Sequence, residues 1–114
     1  MKDFMLIFRG ESMPEVKLTP QGTLDISKEW ENWTGSIAAQ NKLVSVGNHL
    51  ANEGMTVKPG NVVISGPYAE IKEFVGGYTV IRTESLLEAA EISKTCPILA
   101  FGGSVEIREI VPMN

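Results

Sequence analysis

A single cysteine, Cys96, excludes an internal disulfide, and a single histidine, His49, leaves no His/Cys set with metal-ligand spacing. Haem and metal ligation are not expected, and no cofactor is expected. Such sparing use of cysteine suits a reducing, cytoplasmic setting. The ten basic residues form no Lys/Arg run, and the formal net charge is −4. Phosphate binding needs clustered positive charge, so nucleic acid is not an expected partner. No apolar run approaches the roughly 20 residues that span a bilayer, so no membrane partner is expected. Residues 1–9 are apolar in their middle but too short for a signal peptide. Asp3 interrupts the basic region and no small-residue cleavage site follows. A strand is the better reading.

What is present is a globular composition, with 43% hydrophobic and 21% charged residues in 114. One domain covering 1–114 accommodates this length, and burial against a partner subunit would add to a core of this size. Phe4, Leu6 and Phe8 alternate with Met5 and Ile7, which predicts a strand buried on both sides up to Arg9. The polar stretch from Gly10 to Leu18 reads as a loop. Thr19-Pro20 is a helix start, because Thr caps free amides and Pro suits the first helical position. Ile26, Trp30, Trp33 and Ile37 then form one apolar stripe, and the helix fades near Asn41-Lys42. Gly22 and Gly35 weaken it by roughly 1 kcal/mol each relative to Ala, so packing of the tryptophans must hold it.

Short β segments follow. Met55-Thr56-Val57 and Val62-Val63-Ile64 flank a Lys58-Pro59-Gly60-Asn61 turn and predict a hairpin. Residues 77–82 predict another strand. Ser85-Leu86-Leu87-Glu88 is a capping box, in which Ser85 caps the Glu88 amide and Glu88 reaches back to the Ser85 amide. Leu86, Ala89, Ala90 and Ser93 follow at helical spacing, Pro97 closes the helix near Cys96, and residues 104–110 predict the last strand. The order is β-α-β-β-α-β with an extra central hairpin, a ferredoxin-like α+β arrangement. It predicts an antiparallel sheet with both helices on one face. The open face is not all polar, so a homodimer is expected to cover it.

The run from Val62 through Ser65-Gly66-Pro67-Tyr68-Ala69-Glu70-Ile71-Lys72-Glu73 to Gly76-Gly77-Tyr78 resembles the YCII-related family, in its DGPF-motif branch. Leu86-Leu87-Glu88-Ala89, Cys96-Pro97 and Gly103-Ser104-Val105-Glu106-Ile107-Arg108 also look like the family's second half. The first strand, the Thr-Pro helix start, and Leu43-Val44 with Gly47 and Leu50 look like its first half. The resemblance implies a dimeric α/β barrel in which two sheets pack face to face. It also implies an enzymatic role centred on an acidic site, and an association of some members with extracytoplasmic sigma factors. One position departs from the pattern. The leading Asp of Asp-Gly-Pro-Phe is Ser65 here, and Tyr68 stands for Phe.

Gly66-Pro67 reads first as a turn and second as a loop lining a pocket. Glu70, Lys72 and Glu73 are ordinary surface if exposed. Over a cleft, Glu70 or Glu73 supplies a base and Lys72 holds an anion. Arg108 is a candidate anion binder or a structural ion-pair partner, and Arg9 shares that ambiguity. His49 is a candidate acid or base, since an imidazole passes protons near neutral pH, but it lacks an identifiable partner in the sequence. Ser65 and Tyr68 are candidates for substrate contact. Cys96 reads as a small buried hydrophobe, and the Trp30/Trp33 stripe as core rather than a ligand box. Two functions stand against each other. One is an acid/base enzyme-like dimer binding a small molecule beside residues 65–73. The other is a non-catalytic dimeric module for a ligand or protein, linked to sigma-factor regulation.

Overall fold

The computed structural model describes residues 1–10, 20–66 and 74–113. The expected loop beyond Gly10, the Thr19 cap and the second half of the Ser65 stretch, with Tyr68, Glu70, Lys72 and Glu73, lie outside the described residues.

The alternating apolar segment at the start forms β1 (Lys2–Arg9). Phe4, Leu6 and Phe8 are buried, whereas Met5 and Ile7 on the other face are half-buried. The strand is therefore buried fully on one side only, against the expectation of two. Helix α1 (Pro20–Ala39) begins at the expected proline, and Asn41 leaves the helical region with φ 62°. Strands β2 (Leu43–Ser45) and β5 (Val75–Thr83) flank the hairpin of β3 (Met55–Lys58) and β4 (Val62–Ser65). Helix α2 (Leu86–Ser93), a short 3₁₀ helix (Pro97–Phe101) and β6 (Ser104–Glu109) complete the order.

The four-stranded sheet runs β2-β5-β1-β6, with every neighbouring pair antiparallel, and the hairpin is a separate two-stranded sheet. That order is the ferredoxin-like split β-α-β, in which β5 lies between two strands joined through α1. The core is one cluster. Phe4, Leu6, Phe8 and Ile81 from the sheet meet Trp33 and Ile37 of α1, Ala89 of α2, and Cys96. Both helices thus cover one face, and among the described residues nothing covers the other.

Phe8 holds α1 in place through edge-on contacts with Trp30 and Trp33, at ring centroid distances of 5.0 and 6.0 Å. The Trp33 indole N–H donates to Thr95 Oγ1 at 3.1 Å, which ties α1 to the end of α2. Two details of α2 differ from expectation. Ser85 caps the Glu88 amide at 3.1 Å as expected, but the Glu88 carboxylate turns to Lys42 Nζ, 3.3 Å away, instead of reaching back. The contact is an ion pair only, and Glu88 Oε1 is buried with no hydrogen-bond partner among the described residues. Leu86 is 55% exposed, because as the first residue of the helix it stands beyond the packed part. The buried line begins at Ala89 and continues through Ser93 to Cys96.

Removing core volume should separate these two classes of leucine. Leu6→Ala, at a fully buried site, is expected to cost about 2–5 kcal/mol. Leu87→Ala, at a site 72% exposed, should stay within about 0.5 kcal/mol. Urea unfolding of the two variants beside the parent checks both, and equal losses would contradict the placement of α2.

Candidate functional site

Two clefts bear on function. The first is built where the chain between β2 and β3 is stitched onto β5. Tyr78 N–H donates to the Asn48 carbonyl at 3.2 Å, Leu50 N–H donates to the Gly76 carbonyl at 2.9 Å, and Thr79 Oγ1 donates to the Val46 carbonyl at 2.9 Å. Two glycines permit this approach. Gly47 has φ 76°, and a side chain there would collide with the Tyr78 carbonyl. A Cβ on Gly77 would sit 2.8 Å from the Asn48 carbonyl oxygen. The segment therefore lies flat on β5, with His49 bridged to Gly77.

The result is a cleft of about 150 Å³ whose lining includes Phe8, Trp30, Thr34, Asn48, His49 and Tyr78. Its floor is aromatic. The His49 ring meets Trp30 edge-on at 6.4 Å, and Trp30 meets Trp33 at 5.8 Å. Its rim is polar. Asn48 Nδ2 donates to the Tyr78 hydroxyl at 3.2 Å, and because Tyr78 pairs with Ile7 this bond lies toward the open sheet face, on the other side of the segment from the imidazole. A volume near 150 Å³ is the size that accepts a single six-membered ring.

The second cleft, about 560 Å³ and more open, lies at the hairpin base among Asn52, Glu53, Gly54, Met55, Ser65 and Gly66. Ser65 ends β4 and is exposed. Gly66 takes φ 90°, its N–H donates to the Gly54 carbonyl at 2.6 Å, and its own carbonyl accepts from Thr56 Oγ1 at 3.0 Å. The turn reading of Gly66 therefore holds, since only a left-handed backbone closes the hairpin base this way.

The two clefts share no described residue, so His49 and Ser65 are not brought together. Arg108 lines neither. It is exposed on β6, with Nη1 3.4 Å from Glu106 Oε2, and Arg9 Nε donates to Glu106 Oε1 at 2.7 Å. Hydrogen bonding from Arg9, together with its charge and that of Arg108, holds the Glu106 carboxyl below its usual range. Arg82 does the same to Asp3 through a 2.7 Å hydrogen bond. These pairs lie on the open sheet face. Burial pushes the Cys96 thiol up to about 11, which suits a packing residue and not a nucleophile.

Sequence reasoning missed the cleft beside His49. Trp30 is half-buried and serves the cleft as well as the core, while Asn48 and Tyr78 are thirty residues apart in sequence. The one available signal was Gly47 and Gly77, a pair of residues without side chains at matching positions ahead of and within a strand.

The family model described as YCII-related domain matches residues 17–114. No curated protein matches the chain. Among the described residues no helix is long and apolar enough to cross a membrane.

The carboxylates of the open face give an acid dependence of known sign. A carboxyl whose folded pKa is depressed contributes stability above its unfolded pKa and loses it as pH falls through the folded value. The parent should therefore lose stability progressively as pH falls below about 5. The double variant Asp3→Asn/Glu106→Gln should show a shallower decline. Urea midpoints collected from pH 6 to pH 2.5 give both slopes, and parallel slopes would mean that these pairs do not act.

Proposed function

The chain belongs to the YCII-related domain family, and from that premise we propose that it is a small-molecule-binding domain working as a homodimer, with His49 as its proton-handling group. The observation that carries this reading is an exposed imidazole set edge-on to Trp30 at the mouth of one aromatic-floored cleft. Apolar walls with a few placed polar groups are the general character of ligand sites. The ligand class that fits is a small ring compound bearing a hydroxyl or carboxyl. The ring stacks against Trp30, and the polar substituent meets His49. His49 then serves as acid or base toward that substituent.

Ser65-Gly66-Pro67-Tyr68 supports placement in the DGPF-motif branch, with serine in place of the leading acid. That substitution removes the first carboxylate an acid/base scheme would use and favours the His49 cleft over the hairpin base. The homodimer reading is supported by the open sheet face. Met5, Ile7 and Val80 form its half-buried centre, and the Asp3–Arg82 and Arg9–Glu106 pairs form its charged border. A lone cysteine supports a reducing compartment such as the cytoplasm.

Tryptophan fluorescence reads binding directly, because Trp30 lines the cleft. Titration with a panel of hydroxy- and carboxy-substituted six-membered-ring compounds should give saturable quenching by at least one. His49→Ala should weaken that binding about tenfold or more, the loss expected of a hydrogen bond to a charged or polar group. Absence of saturable quenching across the panel, or an affinity untouched by His49→Ala, would sink the assignment. Turnover of a bound compound, lost in His49→Ala, would add the catalytic role.

A further inference from the structure

Two apolar surfaces lie uncovered on this chain. One is the centre of the open sheet face. The other is the hairpin, whose register pairs Met55 with Ser65 and Val57 with Val63, so these four residues share a face. Met55, Val57 and Val63 are 76%, 69% and 58% exposed. On the reverse face Val62 and Ile64 are exposed as well. Among the described residues the hairpin strands make no more than marginal contact with any other element. An isolated two-stranded hairpin is marginal in water. Strands apolar on both faces are the pattern of strands enclosed between layers. The molecule measures 47 × 44 × 18 Å, so the hairpin extends beside the two-layer slab and does not fold back over it.

We propose that the 55–65 hairpin is an arm that packs, through Met55, Val57 and Val63, on a second copy of this chain. The inference rests on the homodimer reading above and adds to it a second contact region. Area argues for it. Four strands of about six residues give a sheet footprint on the order of 400 Å². A stable interface takes about 800 Å² from each partner. The arm supplies much of the difference. Symmetry is compatible with it, because a two-fold operation makes any arm contact twice and adds it to the paired open faces. Charge is compatible. The strands Met55–Lys58 and Val62–Ser65 carry Lys58 and no acidic residue, so the arm brings no repulsion toward a copy of net charge −4.

Sedimentation equilibrium on three proteins tests the arm separately from the sheet face. The parent should weigh about twice the 12.4 kDa chain. The arm variant Val57→Asp/Val63→Asp should dissociate at least tenfold more readily, with unchanged far-ultraviolet circular dichroism because the hairpin stands outside the core. The sheet-face variant Val80→Glu should also dissociate. Amide exchange in residues 55–65 of the parent should be slow when concentrated and quicken on dilution. A dimeric parent whose arm variant associates as tightly as the parent overturns the arm and leaves the sheet-face reading standing. Arm amides that exchange equally fast at all concentrations do the same. A monomeric parent overturns both.

Discussion

Phe8 stands at the centre of the molecule's order. It sits on β1, an inner strand of the sheet, and it points into the angle between Trp30 and Trp33. Each edge-on aromatic pair is worth roughly 0.5–1.5 kcal/mol beyond the area it buries. Three such pairs offset the cost of about 1 kcal/mol that a mid-helix glycine such as Gly35 imposes. Without the tryptophans α1 would have little to fix its rotation, because its outward faces are exposed and Ile37 is its only other fully buried side chain among those described. The same contact builds the cleft. Trp30 shows one edge to Phe8 and another to His49, so the group that positions the helix also forms the floor of the candidate site. The floor of the site is thus held by the core, while His49 comes from the segment between β2 and β3 that is bonded onto β5.

Local chemistry was readable from the sequence wherever neighbours in the chain are neighbours in space. Alternation in residues 4–8 named the buried face of β1. Pro20 named the start of α1, and the turn at 58–61 named the hairpin. Ser85 named the cap of α2, and the strand order followed from the succession of elements. Contacts between distant segments were not readable. Glu88 was assigned to the Ser85 amide by a local rule, and Lys42, forty-six positions earlier, takes it instead. His49 had no visible partner because Trp30 meets it from a helix that nothing within a few residues of His49 specifies. The stripe Trp30/Trp33 was read as core, which is right for Trp33 and half right for Trp30. Periodicity reports which side of a helix faces inward, and it cannot tell a core wall from a cleft wall.

The charged residues of the sheet divide along the same lines. Arg108 and Arg9 had the residue type for anion binding, but both engage Glu106, which lies on the same strand as Arg108 and opposite Ile7 of β1. Asp3 and Arg82 face each other across the β1–β5 pair. These groups satisfy one another on an exposed face, where such pairs contribute little to stability and mainly set which surfaces can meet. Their placement around Met5, Ile7 and Val80 makes the open face a bordered apolar patch. Chemistry on a ligand is better served at the other end of the sheet, where β2 is only three residues long and the chain must run across β5 before it can leave.

That short strand explains why the Ser65-Gly66 stretch and the aromatic cleft occupy different places. After Ser45 the chain crosses β5 through Gly47, Asn48 and His49, and it then departs into the hairpin, returning at Ser65-Gly66. The conformation of Gly66 closes the hairpin base, so the motif's glycine acts on backbone shape whatever residue precedes it. A carboxylate at position 65 would stand at the wide, exposed hairpin-base cleft, where water screens its charge. His49 is exposed too, but its ring lies edge-on to Trp30 at 6.4 Å, in a cleft about a quarter as large. Electrostatic and hydrogen-bonding contacts gain strength as water is displaced. On the proposed reading, a ligand seated against Trp30 displaces water from the imidazole, whereas one at the hairpin base leaves Ser65 in solvent.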